Sequence, residues 1–176
     1  MKTTVYVGTS LDGFIARKDG DFGWLDPFNN HEVHKSYNEF IKEIDAIVIG
    51  RGTFEIVLPF PSWPYNKKVF VLSNSIKQVP EKIKDKVAVL SMQPAELLTY
   101  LSNEGFSNLY IDGGKVIQSF LKEDLIDELI ITKVPVLIGS GIPLFGYLDM
   151  DLQFTHLRTD VYSNGLVKSH YERKRE

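Results

Sequence analysis

The sequence predicts an α/β fold: a mainly parallel central sheet of about eight strands, flanked by helices and closed at one edge by an antiparallel hairpin. Three observations carry this. Short β-rich runs alternate with helical patterns through the first two thirds of the chain. The run Ala46-Ile47-Val48-Ile49 is apolar throughout instead of alternating, as a strand covered on both faces must be. Asn164-Gly165 separates two β-patterned stretches near the end, and that dipeptide favours the turn a tight hairpin needs.

Taken in order, residues 3–8 form the first strand and end at Gly8. Asp12-Gly13 marks a turn inside Ser10-Leu11-Asp12-Gly13-Phe14-Ile15-Ala16, and residues 17–30, with Gly20, Gly23 and Pro27, form a long loop. Loops of that length in a compact domain tend to be functional. Val33, Tyr37, Phe40, Ile41 and Ile44 recur at helical spacing and predict a helix over 31–44. The buried strand 46–49 follows and ends at Gly50-Arg51-Gly52-Thr53; after a short helical turn, Pro59, Pro61 and Pro64 break the chain. Strands are predicted at Lys68–Leu72 and Val87–Leu90. The next helix begins near Pro94, buries Leu97, Leu98 and Leu101, and stops at Gly105. Leu109-Tyr110-Ile111 is a strand, Asp112-Gly113-Gly114 a sharp turn, and Val116, Ile117, Phe120 and Leu121 the buried face of another helix. A strand over Glu128–Leu137, broken or ended by Pro135, leads to the hairpin of 152–161 and 165–173. No repeat or linker divides the chain, so 1–176 reads as one domain.

The totals exclude several classes of function. There is no cysteine, hence no disulfide, thiolate metal site or cysteine nucleophile, which fits a reducing cytoplasm. A formal charge of -3 argues against a general nucleic-acid binder, and no apolar stretch approaches the ~20 residues of a membrane helix. His31 and His34 share a helix face but have no further ligand near them in sequence, so no metal is expected.

Chemistry is expected beyond the carboxyl ends of the strands, where open α/β sheets bind ligands. Three segments lie there. Gly50-Arg51-Gly52-Thr53 offers close-approaching amides, a helix start and a cation to an anionic ligand, or is an ordinary turn with a surface arginine. Asp112-Gly113-Gly114-Lys115 allows close contact with a dinucleotide, or is simply a tight turn. Leu72-Ser73-Asn74-Ser75 offers small polar side chains that can bind a phosphate or simply cap a helix. Neither the G-x-G-x-x-G fingerprint of dinucleotide-binding helices nor the phosphate loop G-x-x-x-x-G-K-[ST] is present.

With these segments in order, the chain resembles the dihydrofolate reductase superfamily, and within it the reductase domain at the carboxyl end of the riboflavin-biosynthesis deaminase-reductase RibD. The carriers are Ser10 to Ala16, Ile49-Gly50-Arg51-Gly52-Thr53-Phe54-Glu55, Tyr110-Ile111-Asp112-Gly113-Gly114 and Leu125-Ile126-Asp127-Glu128-Leu129; Pro135-Val136-Leu137-Ile138-Gly139-Ser140-Gly141 with Leu144-Phe145 points to the RibD branch. The resemblance implies a three-layer α/β/α fold and NADPH lying along the strand ends. Gly50, Arg51 and Thr53 are then expected at the pyrophosphate, and Ser73 and Asn74 at the 2′-phosphate. Asp112, Gly113, Gly114, Lys115 and Val116 are expected on the other side of the dinucleotide, with Gly8, Ile15 and Ala16 at the nicotinamide. It also implies a cis Gly113–Gly114 peptide and a homodimer using a face over 135–145. Asp12 and Glu32 are the candidate acids, and Trp24 and Asp26 the candidate substrate contacts. Folate itself is disfavoured, because Leu58-Pro59-Phe60-Pro61-Ser62-Trp63-Pro64 has no arginine for its carboxylate. The expected acceptor is a small planar nitrogen heterocycle or a ribosylaminopyrimidine; the alternatives are dihydrofolate reduction or a catalytically silent nucleotide-binding module.

Overall fold

A computed structural model describes residues 1–175. The strands are β1 (Lys2–Ser10), β2 (Phe14–Ala16), β3 (Ala46–Gly50), β4 (Lys68–Leu72), β5 (Val87–Leu90), β6 (Asn108–Ile111), β7 (Glu128–Val134), β8 (Ile142–Pro143), β9 (Phe154–Val161) and β10 (Val167–Arg173). The helices are α1 (His31–Lys42), α2 (Arg51–Val57), α3 (Pro94–Asn103) and α4 (Gly114–Lys122). Eight strands make one sheet in the order β5-β4-β3-β6-β1-β7-β10-β9. The ladders from β5 to β7 are parallel, while β10 runs antiparallel to both β7 and β9.

The three layers follow from the alternation of side chains along the inner strands. Ala46 and Val48 of β3, Phe70 of β4 and Leu109 and Ile111 of β6 pack with Leu97, Leu101, Ile117 and Phe120 of α3 and α4. Ile47, Ile49, Val69, Val71 and Tyr110 point the other way and pack with Ile41 of α1 and Phe54 of α2. A strand apolar at every position is thus a strand with helices above and below.

Local signals set the element ends. Asn30 caps α1 by accepting the Val33 N–H at 3.0 Å, and Glu96 accepts the Gln93 N–H at 3.0 Å at the start of α3. Gly105, at φ +89°, stops the chain after α3 in the left-handed region. The expected strand over 128–137 ends at Val134, because Pro135 has no N–H to give the ladder. The first helix stops at Lys42, two residues short of the apolar pattern, although Ile44 remains buried. The loop 17–30 contains a 3-10 turn over Gly23–Phe28.

One element escapes the sequence pattern. β2 and β8 pair antiparallel as a small separate ribbon, too short for any periodicity to declare it. Its packing demands glycine at 141, where a Cβ would sit 2.2 Å from the Ala16 carbonyl oxygen.

Phe120 is wholly buried between α4 and the sheet. Phe120→Ala is expected to lower the unfolding free energy by about 3–5 kcal/mol, which urea denaturation followed by circular dichroism measures.

Candidate active site

β3 and β6 are neighbours, yet the chain leaves β3 into α2 on one face of the sheet and leaves β6 into α4 on the other. Diverging helices open a crevice at the carboxyl ends of such strands. It is a cleft of about 880 Å³. Gly50 to Thr53, Leu72 to Ser75, Met92 to Pro94 and Asp112 to Val116 supply its floor, one segment from each of four adjacent strands. Ile15 and Ala16 of β2, Ile142 of β8 and the loop residues Lys18, Gly20 and Phe22 supply its outer wall.

The two glycine turns interlock. A Cβ on Gly113 would lie 2.5 Å from Thr53 Oγ1, and one on Gly50 would lie 3.0 Å from Val116 Cγ2. Each turn therefore leaves room for the helix that starts from the other. Gly113 also sits at φ +91°, a conformation that residues with a Cβ rarely adopt. Gly114 meets the β2–β8 ribbon, where a Cβ would be 3.1 Å from both Ile15 Cδ1 and Ile142 Cγ2. The expected cis peptide is corrected: among the described residues no peptide bond is cis, and the turn is accomplished by the positive φ of Gly113.

Charge in the cleft is uneven. Lys18, Arg51 and Lys115 line it against the single carboxylate of Asp112. At the β4 end, Arg51 Nη1 donates to Ser75 Oγ at 3.2 Å, and Ser73 Oγ accepts the N–H groups of Ser75 and Ile76, both at 3.2 Å. Arg51 also faces Glu55 at 3.6 Å, which steadies the guanidinium on the helix surface. A cation and hydroxyls are thereby gathered where one anionic group can be held.

Asp112 is half-buried at the end of β6, with its N–H donating to the Val48 carbonyl at 2.9 Å. Burial pushes its carboxyl up to about 6, against the polar groups of Gly113 and Tyr110 beside it, which favour the charged form. No lysine, arginine or histidine pairs with it among the described residues. Its neighbours are phenols. Tyr37 is pushed up to about 12 by burial and then by the Asp112 charge, and the same two causes raise Tyr65 and Tyr110. Tyr110 donates to the Tyr6 carbonyl at 2.9 Å. This tyrosine surround could not be read from the sequence, since α1, the proline-rich segment and β6 meet only in the fold.

Of the residues expected at a dinucleotide, Ile15, Ala16, Gly50, Arg51, Thr53, Ser73, Asn74, Asp112, Gly113, Gly114, Lys115 and Val116 all line the cleft. Gly8 does not; it lies under the loop, where a Cβ would be 3.4 Å from Leu25 Cδ2. The candidate acids Asp12 and Glu32 do not line the cleft. The Asp12 carboxylate accepts the N–H groups of Ile138 at 3.3 Å and Gly139 at 2.7 Å, tying the β1–β2 turn to the loop after β7. Hydrogen bonding with Ser10 first, and then with these amides, holds it below the usual carboxylate range. Glu32 accepts from the Ser163 side chain and from its N–H at 3.2 Å, which lowers it too. Both carboxylates are thus engaged as acceptors, in ties between segments far apart in sequence that no local pattern reveals. Trp24 and Asp26 fall in the 3-10 turn and likewise stay outside the cleft lining.

An open, mainly parallel sheet with interlocked glycine turns at its switch point belongs to the α/β class that opens a ligand crevice beyond the strand ends. The chain belongs to the RibD C-terminal domain family, whose model matches residues 2–168. A crystal structure of a Shewanella sp. PV-4 protein, provisionally named for riboflavin biosynthesis, is 44% identical with a TM-score of 0.94, covering 99% of this chain and 100% of that one. The Thermotoga maritima diaminohydroxyphosphoribosylaminopyrimidine deaminase/5-amino-6-(5-phosphoribosylamino)uracil reductase is 16% identical with a TM-score of 0.78, over 98% of this chain and 56% of that one. A dihydrofolate reductase from Enterococcus faecalis, complexed with NADP(H), is 19% identical with a TM-score of 0.70, over 99% of this chain and 97% of that one. The fold is therefore dihydrofolate reductase-like.

Two outcomes test this geometry. Gly113→Ala is expected to lower the melting temperature through both the clash and the positive φ, and Thr53→Ala in the same chain to restore only the part due to the clash; differential scanning calorimetry separates them. For Asp112, the folded-state pKa lies above the unfolded one. Its stabilising contribution is therefore complete below pH 3.8 and is lost as the pH rises through about 6. Asp112→Asn is expected to remove that slope and to stabilise the protein near neutrality by about 1–3 kcal/mol, measured by urea denaturation across the range.

Proposed function

We propose that the chain is an NADPH-dependent reductase of a small planar nitrogen heterocycle or ribosylaminopyrimidine, similar in reaction to 5-amino-6-(5-phosphoribosylamino)uracil reductase, acting in the cytoplasm as a homodimer. The observation that carries this reading is the conjunction, in one cleft, of the interlocked Gly50 and Gly113 turns with an Asp112 carboxyl that has no ion-pair partner among the described residues. Family membership and the NADP(H) held by the Enterococcus enzyme support it. The apolar side chains exposed between β7 and β9, Leu137, Phe145, Tyr147 and Met150, support the dimer.

The residues suit a dinucleotide. Any side chain at Gly113 would collide with Thr53, so the backbone there is bare for a pyrophosphate beside the start of α4. Arg51 with Ser73 and Ser75 suits a further phosphate, which distinguishes NADPH from NADH. Bound NADPH supplies a hydride to the acceptor carbon. The chain must supply the proton for the acceptor's heteroatom, and the Asp112 carboxyl, raised to about 6, retains one in a usable fraction near neutrality. Tyr65 closes the side of the cleft next to it and limits water there.

Titration of the protein with NADPH and NADH, followed by nicotinamide fluorescence, is expected to show micromolar binding of NADPH and weaker binding of NADH. Arg51→Gln should narrow that gap by about tenfold. Asp112→Asn should leave NADPH binding in place and remove turnover of ribosylaminopyrimidine acceptors. Failure of the folded protein to bind either nucleotide overturns the proposal; binding without turnover of any acceptor leaves a silent nucleotide-binding module.

A further inference from the structure

β9 is an edge strand: it ends the sheet beyond β10, and among the described residues no other strand pairs with its outer side. The opposite edge, β5, has four residues, whereas β9 has eight. A long edge presents unpaired N–H and C=O groups to another strand. It also presents apolar surface here, since Leu157 and Val161 are 47% and 73% exposed. Arg158 pairs with His170 and His156 with Tyr171, so Leu157 sits at a bulge with no partner on β10.

The ladder fixes which backbone groups face outward. Tyr162 N–H donates to the Leu166 carbonyl at 2.9 Å, and bonded and non-bonded pairs alternate along an antiparallel ladder. Tyr162, Asp160 and Arg158 therefore bond inward to β10, and the N–H and C=O groups of Val161 and Thr159 point out. The same alternation restricts pairing with an identical strand: an antiparallel two-fold pair must be centred on one residue opposite its own copy. Centring on Thr159 sets Arg158 opposite the partner's Asp160 and Leu157 opposite the partner's Val161, each twice by symmetry. Opposite charges and apolar pairs directly across a ladder stabilise it, and like charges do not. Centring on Arg158 or on Asp160 would set like charges face to face. Centring on Leu157 puts the bulge on the axis and His156 against the partner's Arg158, and centring on Val161 runs the pairing off the strand end. The charges are already in place on each copy: Arg158 lies 3.5 Å from its own Asp160, which Lys168 holds at 3.1 Å.

We propose that two copies of the chain pair their β9 strands antiparallel about a two-fold axis at Thr159, joining the two sheets into one. This inference rests on the homodimer of the proposed function and gives that dimer its contact strand and register.

Light scattering of the intact protein is expected to show a dimer. The chain has no cysteine, so Thr159→Cys introduces a sole thiol opposite its own copy, where Cα atoms of a bonded pair lie about 5.5 Å apart, within reach of a disulfide. Mild oxidation is expected to cross-link this variant nearly completely. Val161→Cys, displaced from its copy by about 14 Å along the strand, should stay uncross-linked. Arg158→Glu, which faces the partner's Asp160 with like charge, should raise the dimer dissociation constant about tenfold with the circular dichroism spectrum unchanged. A dimer in which Thr159→Cys fails to cross-link, in which Val161→Cys cross-links as readily, or which Arg158→Glu leaves equally tight overturns the β9 contact and leaves the homodimer standing. An unaltered protein that is monomeric at every concentration overturns both.

Discussion

The structure depends on one steric constraint: the turns that leave β3 and β6 occupy each other's space. Gly50 leaves room for Val116, and Gly113 leaves room for Thr53. A side chain at either position would press on its neighbour and strain the junction at which β3 and β6, paired at Val48 and Ile111, send α2 and α4 to opposite faces. The crevice, its bare backbone and the helix starts that border it all follow from that mutual vacancy. The β2–β8 ribbon extends the same logic outward, since Gly114 and Gly141 let it approach the turn and fold over the cleft.

Electrostatics divide the cleft into two regions. Toward β4, Arg51 and the serines collect positive charge and donors, as suits a ligand that is already ionised. Toward α1, the surroundings are phenolic, and Asp112 has no cation to hold it ionised. A carboxyl desolvated in this way can change its charge near neutrality without breaking an ion pair. The same desolvation makes the charged form a liability to the fold, the usual tension between stability and an activated group.

Much of this was legible in the residues. The apolar run of β3, the capped start of α1, the Gly105 stop and the Asn164-Gly165 turn each encode their element through local physics, and the sheet class follows from their order. Glycine-bearing strand ends were legible as a cluster because parallel topology sends them to one side. What stayed hidden is non-local. Asp12 and Glu32 had the right chemistry but are engaged by amides and a hydroxyl over 120 residues away in sequence, and only the closed fold shows that tie. Tyr65, after a run of prolines, gave no sign that it would stand beside Asp112. A two-residue strand such as β8 is below any periodic signal.

The position of β1 has a consequence for how the protein is made. β1, made before the other strands of this sheet, is inserted between β6 and β7, and its Lys2 pairs with Asn108. Both of its edges therefore stay unpaired until β6 and β7 have been synthesised, and β3, the next strand of this sheet to be made, must leave a gap for β6. Folding from the amino end cannot proceed strand by strand. The nascent chain carries apolar, two-faced strands without neighbours, and the rate at which β6 and β7 arrive sets how long they are open to aggregation or to a chaperone's hold.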